Sequence, residues 1–188
     1  MSKFPVKGGD FTPVPEGVHL AVCKHEGLCL VTSPQFSKHP DGKLLKQRYI
    51  FQIEENVPGK DFRFEVRATF GPVMGKKSKQ RAFIESWLGR SLDDKAASEF
   101  DSKFMLNRAC QINVIHVESG GKMYANISTI MPLPKGIPTP PFTVEYYSKD
   151  GERDLDRWDR EHREAEEWDA ANRNAVDDGT QPDEPLPF

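Results

Sequence analysis

Arginine and phenylalanine alternate along one stretch of the chain in a pattern that suits contact with a polyanion. Phenylalanine stands at Phe62, Phe64 and Phe70, and Arg63 and Arg67 lie between these rings. Successive side chains of a strand point to opposite faces, so an apolar face packed on a core leaves both arginines outside. A guanidinium can pair with a phosphate and can also stack on a base. The stretch therefore predicts a strand that presents cations, with an ordinary solvated surface as the alternative.

The preceding β-periodic stretch places an aromatic ring close to two cations. Lys46 and Arg48 precede Tyr49, and Phe51 follows on the same face as Tyr49. Proteins that bind single-stranded nucleic acid use cations for the backbone and aromatic faces for stacked bases. Tyr49 and Phe51 either fill the core or serve as such stacking platforms. Periodicity favours the core for Phe51 and leaves Tyr49 open.

The last β-periodic stretch has one face that could meet the same ligand. Lys122 and Tyr124 alternate with apolar residues, so both point to the same side of the strand. Tyr124 is the aromatic side chain that we most expect to be exposed. Together with the cations of a glycine- and lysine-rich loop, these residues complete the predicted surface. The predicted DNA-binding residues are Lys46, Arg48, Tyr49, Arg63, Arg67, Lys76, Lys77, Lys79, Lys122 and Tyr124.

Motifs of catalysis and metal binding are missing from the sequence. It contains no phosphate-binding glycine loop, no nucleophile elbow and no HExxH segment. His19, Cys23, His25 and Cys29 share one strand parity, but alternate positions lie about 6.5 Å apart, too far for all four to bind one zinc. A bend at Gly27 could bring two or three together. We expect buried thiols, no metal, no cofactor and no enzyme.

The charges are distributed unevenly along the 188 residues, whose net charge is −3. Residues 1–149 hold 21 basic and 15 acidic residues, whereas residues 150–188 hold 5 basic and 14 acidic residues. A body of +6 with a tail of −9 suggests a polyanion-binding domain followed by an interaction segment. No apolar run reaches the roughly 18 residues of a membrane span, and no secretory signal is evident, so we expect a cytoplasmic protein.

The order of predicted elements indicates a mainly β (α+β) protein. Strands are predicted at 18–31, 47–55, 62–70, 111–117 and 122–130, and helices at 78–88, 93–105 and 154–175. Three strands, a helical insertion and two further strands is the order of an OB-fold, a partly open five-stranded barrel that commonly binds oligonucleotides. We predict an OB-fold domain over residues 1–141, a charged linker and helix over 142–176, and a disordered acidic tail over 177–188.

The last residues resemble the acidic tip of bacterial single-stranded DNA-binding proteins, in which acids precede an apolar residue and a final Pro-Phe. The corresponding residues are Asp183, Glu184, Leu186, Pro187 and Phe188. The resemblance implies that a partner takes the ring in a pocket and the α-carboxylate on a basic residue, with the acids steering towards a basic rim.

The body resembles a family of phage-encoded single-stranded DNA-binding proteins with an OB-fold. The resemblance is carried by SWLGR (86–90), FMLNRAC (104–110), NVIH (113–116), GKMYANI (121–127) and PLPKG (132–136). It implies sequence-nonspecific binding of single-stranded DNA in phage replication or recombination, with host or phage replication proteins recruited by the tip. The alternative is a non-enzymatic interaction protein, a DNA mimic or host-factor inhibitor, although a basic body counts against a mimic.

Overall fold

The computed structural model describes residues 12–60, 62–141 and 152–173, and within them five antiparallel strands and three α-helices. The strands are β1 (Gly17–Thr32), β2 (Lys43–Asn56), β3 (Arg63–Phe70), β4 (Ala109–Ser119) and β5 (Lys122–Pro132). The helices are α1 (Lys79–Leu88), α2 (Asp94–Ser98) and α3 (Asp154–Asn172), and a 3-10 turn spans Ser102–Met105. None of the described helices is both long enough and apolar enough to cross a membrane.

The five strands form one sheet in the order β3-β2-β1-β4-β5. The first three strands form an antiparallel meander, and the predicted helical insertion before β4 is confirmed. The sheet is open, because hydrogen bonds do not join its two edge strands. These edges, β3 and β5, nevertheless lie side by side, with Cα atoms within 8 Å of each other. The closed barrel is therefore not formed by hydrogen bonding, although the sheet curves far enough to bring its edges together.

The inner face of the curved sheet buries the main apolar core. Phe64 and Val66 of β3 point inward as their alternation predicts, and Trp87 of α1 packs on the same cluster. Ile127 of β5 is partly buried against it. Period-two apolar patterning thus produces the inner face, and α1 covers one end of it.

Helix α1 begins and ends at the residues that its sequence indicates. The Ser78 hydroxyl accepts a hydrogen bond from the Arg81 backbone N–H at 3.2 Å, which satisfies one donor of the first turn. Gly89 ends the helix in the left-handed region, with φ of 67°. A Cβ at this position would lie 2.8 Å from Pro132 Cγ, so close packing as well as backbone geometry favours glycine here.

The single helix predicted over residues 93–105 is wrong, because two capping aspartates divide this segment. The Asp93 carboxylate accepts from Ala96 N–H at 2.7 Å and starts α2, and the Asp101 carboxylate accepts from Lys103 N–H at 2.9 Å and starts the 3-10 turn. The second start rotates the remaining side chains. Met105 is buried, and Phe104, which one continuous helix would place on the same side as Ala97 and Phe100, is exposed.

Strands β4 and β5, both predicted, form a hairpin, and several strand ends extend two residues further than predicted. Gly120 and Gly121 have φ of 57° and 75°, the pair of positive values that a two-residue type I′ turn requires. Strand β2 begins at Lys43 rather than at residue 47, so β1 and β2 form a long hairpin. This hairpin continues past the part of β1 that pairs with β4, which covers only residues 17–22.

Helix α3 falls in the stretch expected to be a charged linker and helix, and it packs against β1. Trp158 is completely buried, and Ala165, two turns later on the same side, is also buried. Trp168 donates its indole N–H to Asp41 at 2.9 Å, near the tip of the long hairpin. The helix therefore runs along the outer face of the sheet, opposite to the main core.

Candidate nucleic-acid surface

The cations predicted on the second and third strands share the outer face of the sheet. Arg48 pairs with Thr69, and Ile50 pairs with Arg67, whereas Phe51 pairs with Val66 of the core. Since paired residues of antiparallel strands lie on the same side, the even-numbered positions of β2 face outward with the odd-numbered positions of β3. The structure thus brings together on one face the following predicted residues: Lys46, Arg48, Arg63 and Arg67.

Tyr49 and Phe51 belong to the core, which removes Tyr49 from the surface on which it was predicted. Both side chains are fully buried in the main cluster, and the Tyr49 ring lies 6.3 Å from that of Trp87. The Tyr49 hydroxyl accepts a hydrogen bond from Gln80 Nε2 at 3.1 Å. Burial raises the pKa of Tyr49 above its usual range. With neither face of the ring open, Tyr49 cannot stack on a base in this conformation.

Arg48 lies on the outer face as expected, but α3 covers it. Its side chain is nearly buried, and Nη1 forms an ion pair with Glu161 Oε2 at 2.7 Å. Arg48 is therefore not open to solvent in this structure, and its predicted contact with DNA stays a prediction. The sequence around Arg48 contains no sign of this partner, which lies 113 positions further along the chain.

The two arginines of β3 differ in accessibility. Arg67 is exposed, and Arg63 is partly buried. Partial desolvation, followed by the positive charges of Arg48 and Arg157, lowers the pKa of Arg67. Arg48 and Arg157 thus lie close enough to act on Arg67, although desolvation is the larger cause and Glu65 and Glu161 oppose the shift.

Lys122 and Tyr124 lie together on the outward side of β5, and both are exposed as predicted. Tyr124 pairs with Val117 across the hairpin and keeps 44% of its surface accessible. Lys122 precedes it by two residues, which places the ammonium group on the same side of the strand at a separation of about 6.5 Å between backbones. An exposed ring beside a cation is the arrangement that base stacking requires.

A second exposed ring beside a cation lies in the turn that precedes β4. No exposed ring was predicted in this turn. Phe104 keeps 56% of its surface accessible, and the Arg108 guanidinium carbon lies 3.8 Å from its ring centroid. Arg108 Nε donates to the Phe104 carbonyl at 2.9 Å, which fixes the stack. Cys23 N–H donates to the Arg108 carbonyl at 3.0 Å and anchors the turn to β1. The signal in the sequence was the capping Asp101, which places Phe104 outside.

Three lysines in the loop before α1 and at the start of α1 are exposed, and one of them forms an ion pair. Lys76 Nζ lies 2.9 Å from Asp94 Oδ2, whereas Lys77 and Lys79 are exposed without such a contact in the described residues. Arg81, which lies close to these lysines in the sequence, has a structural role. It bridges α1 to the start of α2 through Glu85 and Asp94, each at 3.0 Å.

The histidine and cysteine residues of β1 do not converge on a metal site. A bulge between Cys23 and His25 shifts the strand register, so Cys23 faces the core and His25 faces outward. Over residues 12–60, 62–141 and 152–173, no group of three or more His, Cys, Asp or Glu side chains could hold a metal ion. All three cysteines are free and buried, and burial raises the pKa of each thiol.

The predicted partner-binding residues, Asp183 to Phe188, lie outside the described part of the chain. Comparisons with known proteins add no identification at this point. No protein-family model matches the chain, and no curated protein matches it either.

Proposed function

We propose that this protein binds single-stranded DNA without sequence preference. The observation that carries the proposal is that the two aromatic side chains left exposed in the described residues, Tyr124 and Phe104, each stand beside a cation. Proteins that bind single-stranded nucleic acid use exposed aromatic rings as stacking platforms for the bases. Lys122 and Arg108 supply the positive charge that the phosphate backbone needs.

The topology supports the same proposal. The order β3-β2-β1-β4-β5, with a helix between β3 and β4, is the order expected of an OB-fold barrel opened between its third and fifth strands. OB-folds commonly bind oligonucleotides on the face of their second and third strands and on nearby loops, although a fold by itself does not establish a function. We therefore infer an OB-fold and rest the function on the exposed rings and cations.

The proposed setting follows from the resemblances in the sequence. We propose action in phage DNA replication or recombination in the bacterial cytoplasm, without enzymatic activity. Residues 183–188 would recruit host or phage replication proteins through the Phe188 ring and the neighbouring acids.

The proposal is tested by titrating labelled oligo-dT with the full chain at low and high salt. Binding should weaken steeply with salt, with a slope of about −0.7 per neutralised phosphate. Tyr124→Ala and Phe104→Ala should each cost about 1–3 kcal/mol of binding free energy, because each removes one stacking platform. Tyr124→Phe and Phe104→Trp keep a ring and should retain binding.

Ile137→Ala is the matched control, since it removes an exposed apolar side chain of similar accessibility that is not aromatic. It should leave the affinity unchanged. Absence of oligo-dT binding at low salt by the wild-type chain and by Glu161→Gln, the variant described below, would exclude the proposed function. Equal affinities of Tyr124→Ala, Phe104→Ala and the control would remove both rings from the binding surface.

A further inference from the structure

Helix α3 lies over the outer face of the sheet, on which the predicted cations of β2 and β3 converge. Trp158 is at the centre of the contact, with its ring 5.4 Å from that of His25 and 5.2 Å from Lys24 Nζ. Val22 and Ile50 of the same outer face are buried although they are not members of the main core. The Trp158 contacts with His25 and Lys24 thus join the helix to an outer face that is itself partly apolar.

The charges across this contact are complementary. Helix α3 carries eight acidic and three basic residues. Glu161 forms an ion pair with Arg48 of β2 at 2.7 Å, and Asp159 Oδ1 lies 3.3 Å from Nε2 of the His25 ring on β1, a hydrogen-bonding contact because this ring is neutral at pH 7. An acidic helix thus occupies a cationic sheet face.

The contact leaves an unusual concentration of buried polar atoms without hydrogen bonds. Arg48 Nε, Arg48 Nη2, His25 Nδ1 and Trp158 Nε1 are buried and lack a partner in the described residues. Buried polar atoms are paired in the great majority of cases, and each unpaired one opposes burial. The closed arrangement is therefore less favourable than its area suggests, and the Arg48 guanidinium still has donors for an anion.

We propose that the outer face around Arg48 and Arg67 is a binding site for the phosphate backbone of single-stranded DNA, which α3 covers until DNA displaces it. In the covered state, the Glu161 carboxylate occupies the position on Arg48 that a phosphate oxygen takes when DNA is bound. This inference rests on the proposed function and adds its regulation.

A phosphate fits the Arg48 guanidinium better than Glu161 does. Glu161 engages only Nη1, whereas a phosphate presents several oxygens and can accept from two guanidinium nitrogens at once. Arg67 is exposed beside it and could take the next phosphate along the strand. Exchange of Glu161 for phosphate therefore satisfies donors that the closed state leaves unpaired.

The complete burial of Trp158 makes the covered state the prevailing one when DNA is absent. The affinity measured for DNA is then the affinity of the open face reduced by the fraction of molecules that are open. A change that weakens the cover without altering the sheet should raise the measured affinity.

Glu161→Gln is such a change, because it keeps the shape of the side chain and removes its negative charge. Glu167→Gln is its matched control: Glu167 is on the same helix, is exposed and makes no ion pair within the described residues. Both variants change the net charge equally. Glu161→Gln should tighten binding of oligo-dT by about five- to tenfold at low salt, and Glu167→Gln by less than about twofold. Equal effects of the two substitutions would overturn the proposal.

Hydrogen exchange of the wild-type chain gives a test that does not depend on any variant. With saturating oligo-dT, backbone amides of residues 158–169 should exchange faster than in the free protein, because α3 leaves the sheet. If oligo-dT binds and these amides stay equally protected or become more protected, the cover is permanent and this proposal is wrong. That result would leave the proposed function intact, whereas absence of oligo-dT binding by both wild type and Glu161→Gln would exclude the function itself.

Discussion

His25 connects the chemistry of a single residue to the docking of α3. Burial, followed by the positive charge of Arg48, lowers the pKa of His25 from 6.5 to about 4, although Asp159 opposes the shift. His162 of α3 contributes a further small lowering. The ring is therefore neutral at pH 7, with Nε2 placed to donate to Asp159.

The free energy of unfolding should accordingly fall as the pH is lowered from about 6.5 to about 4. Between about pH 6.5 and pH 4 the unfolded chain binds a proton at His25 that the folded chain does not, so protonation favours unfolding. The loss should be on the order of 3 kcal/mol and should level off below pH 4. Urea denaturation at a series of pH values measures it, and His25→Gln should flatten that part of the profile. A profile that Gln leaves unchanged would assign the pH dependence to other groups.

The single residues show which predictions a local pattern can support. The exposure of Tyr124 followed from alternation alone. The turn next to it has only two residues, Gly120 and Gly121, and this turn sets the register of the hairpin. Tyr49 could not be decided, since both faces of β2 are buried, one by the core and one by α3. Helical periodicity predicts the wrong side of the structure for Phe104, because the capping residue Asp101 determines the direction of its side chain.

At the scale of elements, α3 behaves as part of the folded body, with Trp158 as its main attachment. Trp158→Ala would leave a large cavity under the helix and should lower the free energy of unfolding by about 3–5 kcal/mol. Trp168→Ala removes a partly exposed ring and one hydrogen bond to Asp41, so its cost should be about 1 kcal/mol. Urea denaturation of both variants compares them. If Trp158→Ala has the denaturation midpoint of the wild type, α3 is not docked in solution.

The elements also differ in how much of their structure could be predicted from the sequence. Five strands and α1 followed from alternation and capping, which are local signals. The docking of α3 did not, because its apolar anchors are sparse and its partners on β1 and β2 lie more than 100 positions away. A helix with so many charges reads as a solvated linker unless its partner face is known.

For the whole molecule, the opposite charges of the body and of residues 150–188 predict an intramolecular competition. Deletion of residues 177–188 should tighten oligo-dT binding modestly, and more at low salt than at high salt, because a tethered acidic segment competes at about millimolar effective concentration and salt screens it. Titrations at two salt concentrations measure the effect. An affinity that is unchanged at low salt would show that this segment does not reach the DNA surface.

Phe188→Ala separates that competition from partner recruitment. It keeps every acidic residue, so its affinity for oligo-dT should equal that of the wild type, while capture of host replication or repair proteins from a bacterial lysate should be lost. Capture of the same proteins by both chains would contradict the role proposed for the tip.

The long β1–β2 hairpin has a consequence for how the protein behaves at high concentration. Beyond the stretch paired with β4, one edge of β1 has no neighbouring strand in the described residues. Leu28 N–H on this edge donates to His162 Nδ1 of α3 at 2.8 Å, and Gly27 permits the close approach. An unpaired strand edge is a template for strand addition by another chain, and proteins commonly shield it with a helix. Helix α3 thus also shields this strand edge from aggregation. Displacement of α3 from the sheet leaves the edge open to strand addition by a neighbouring molecule.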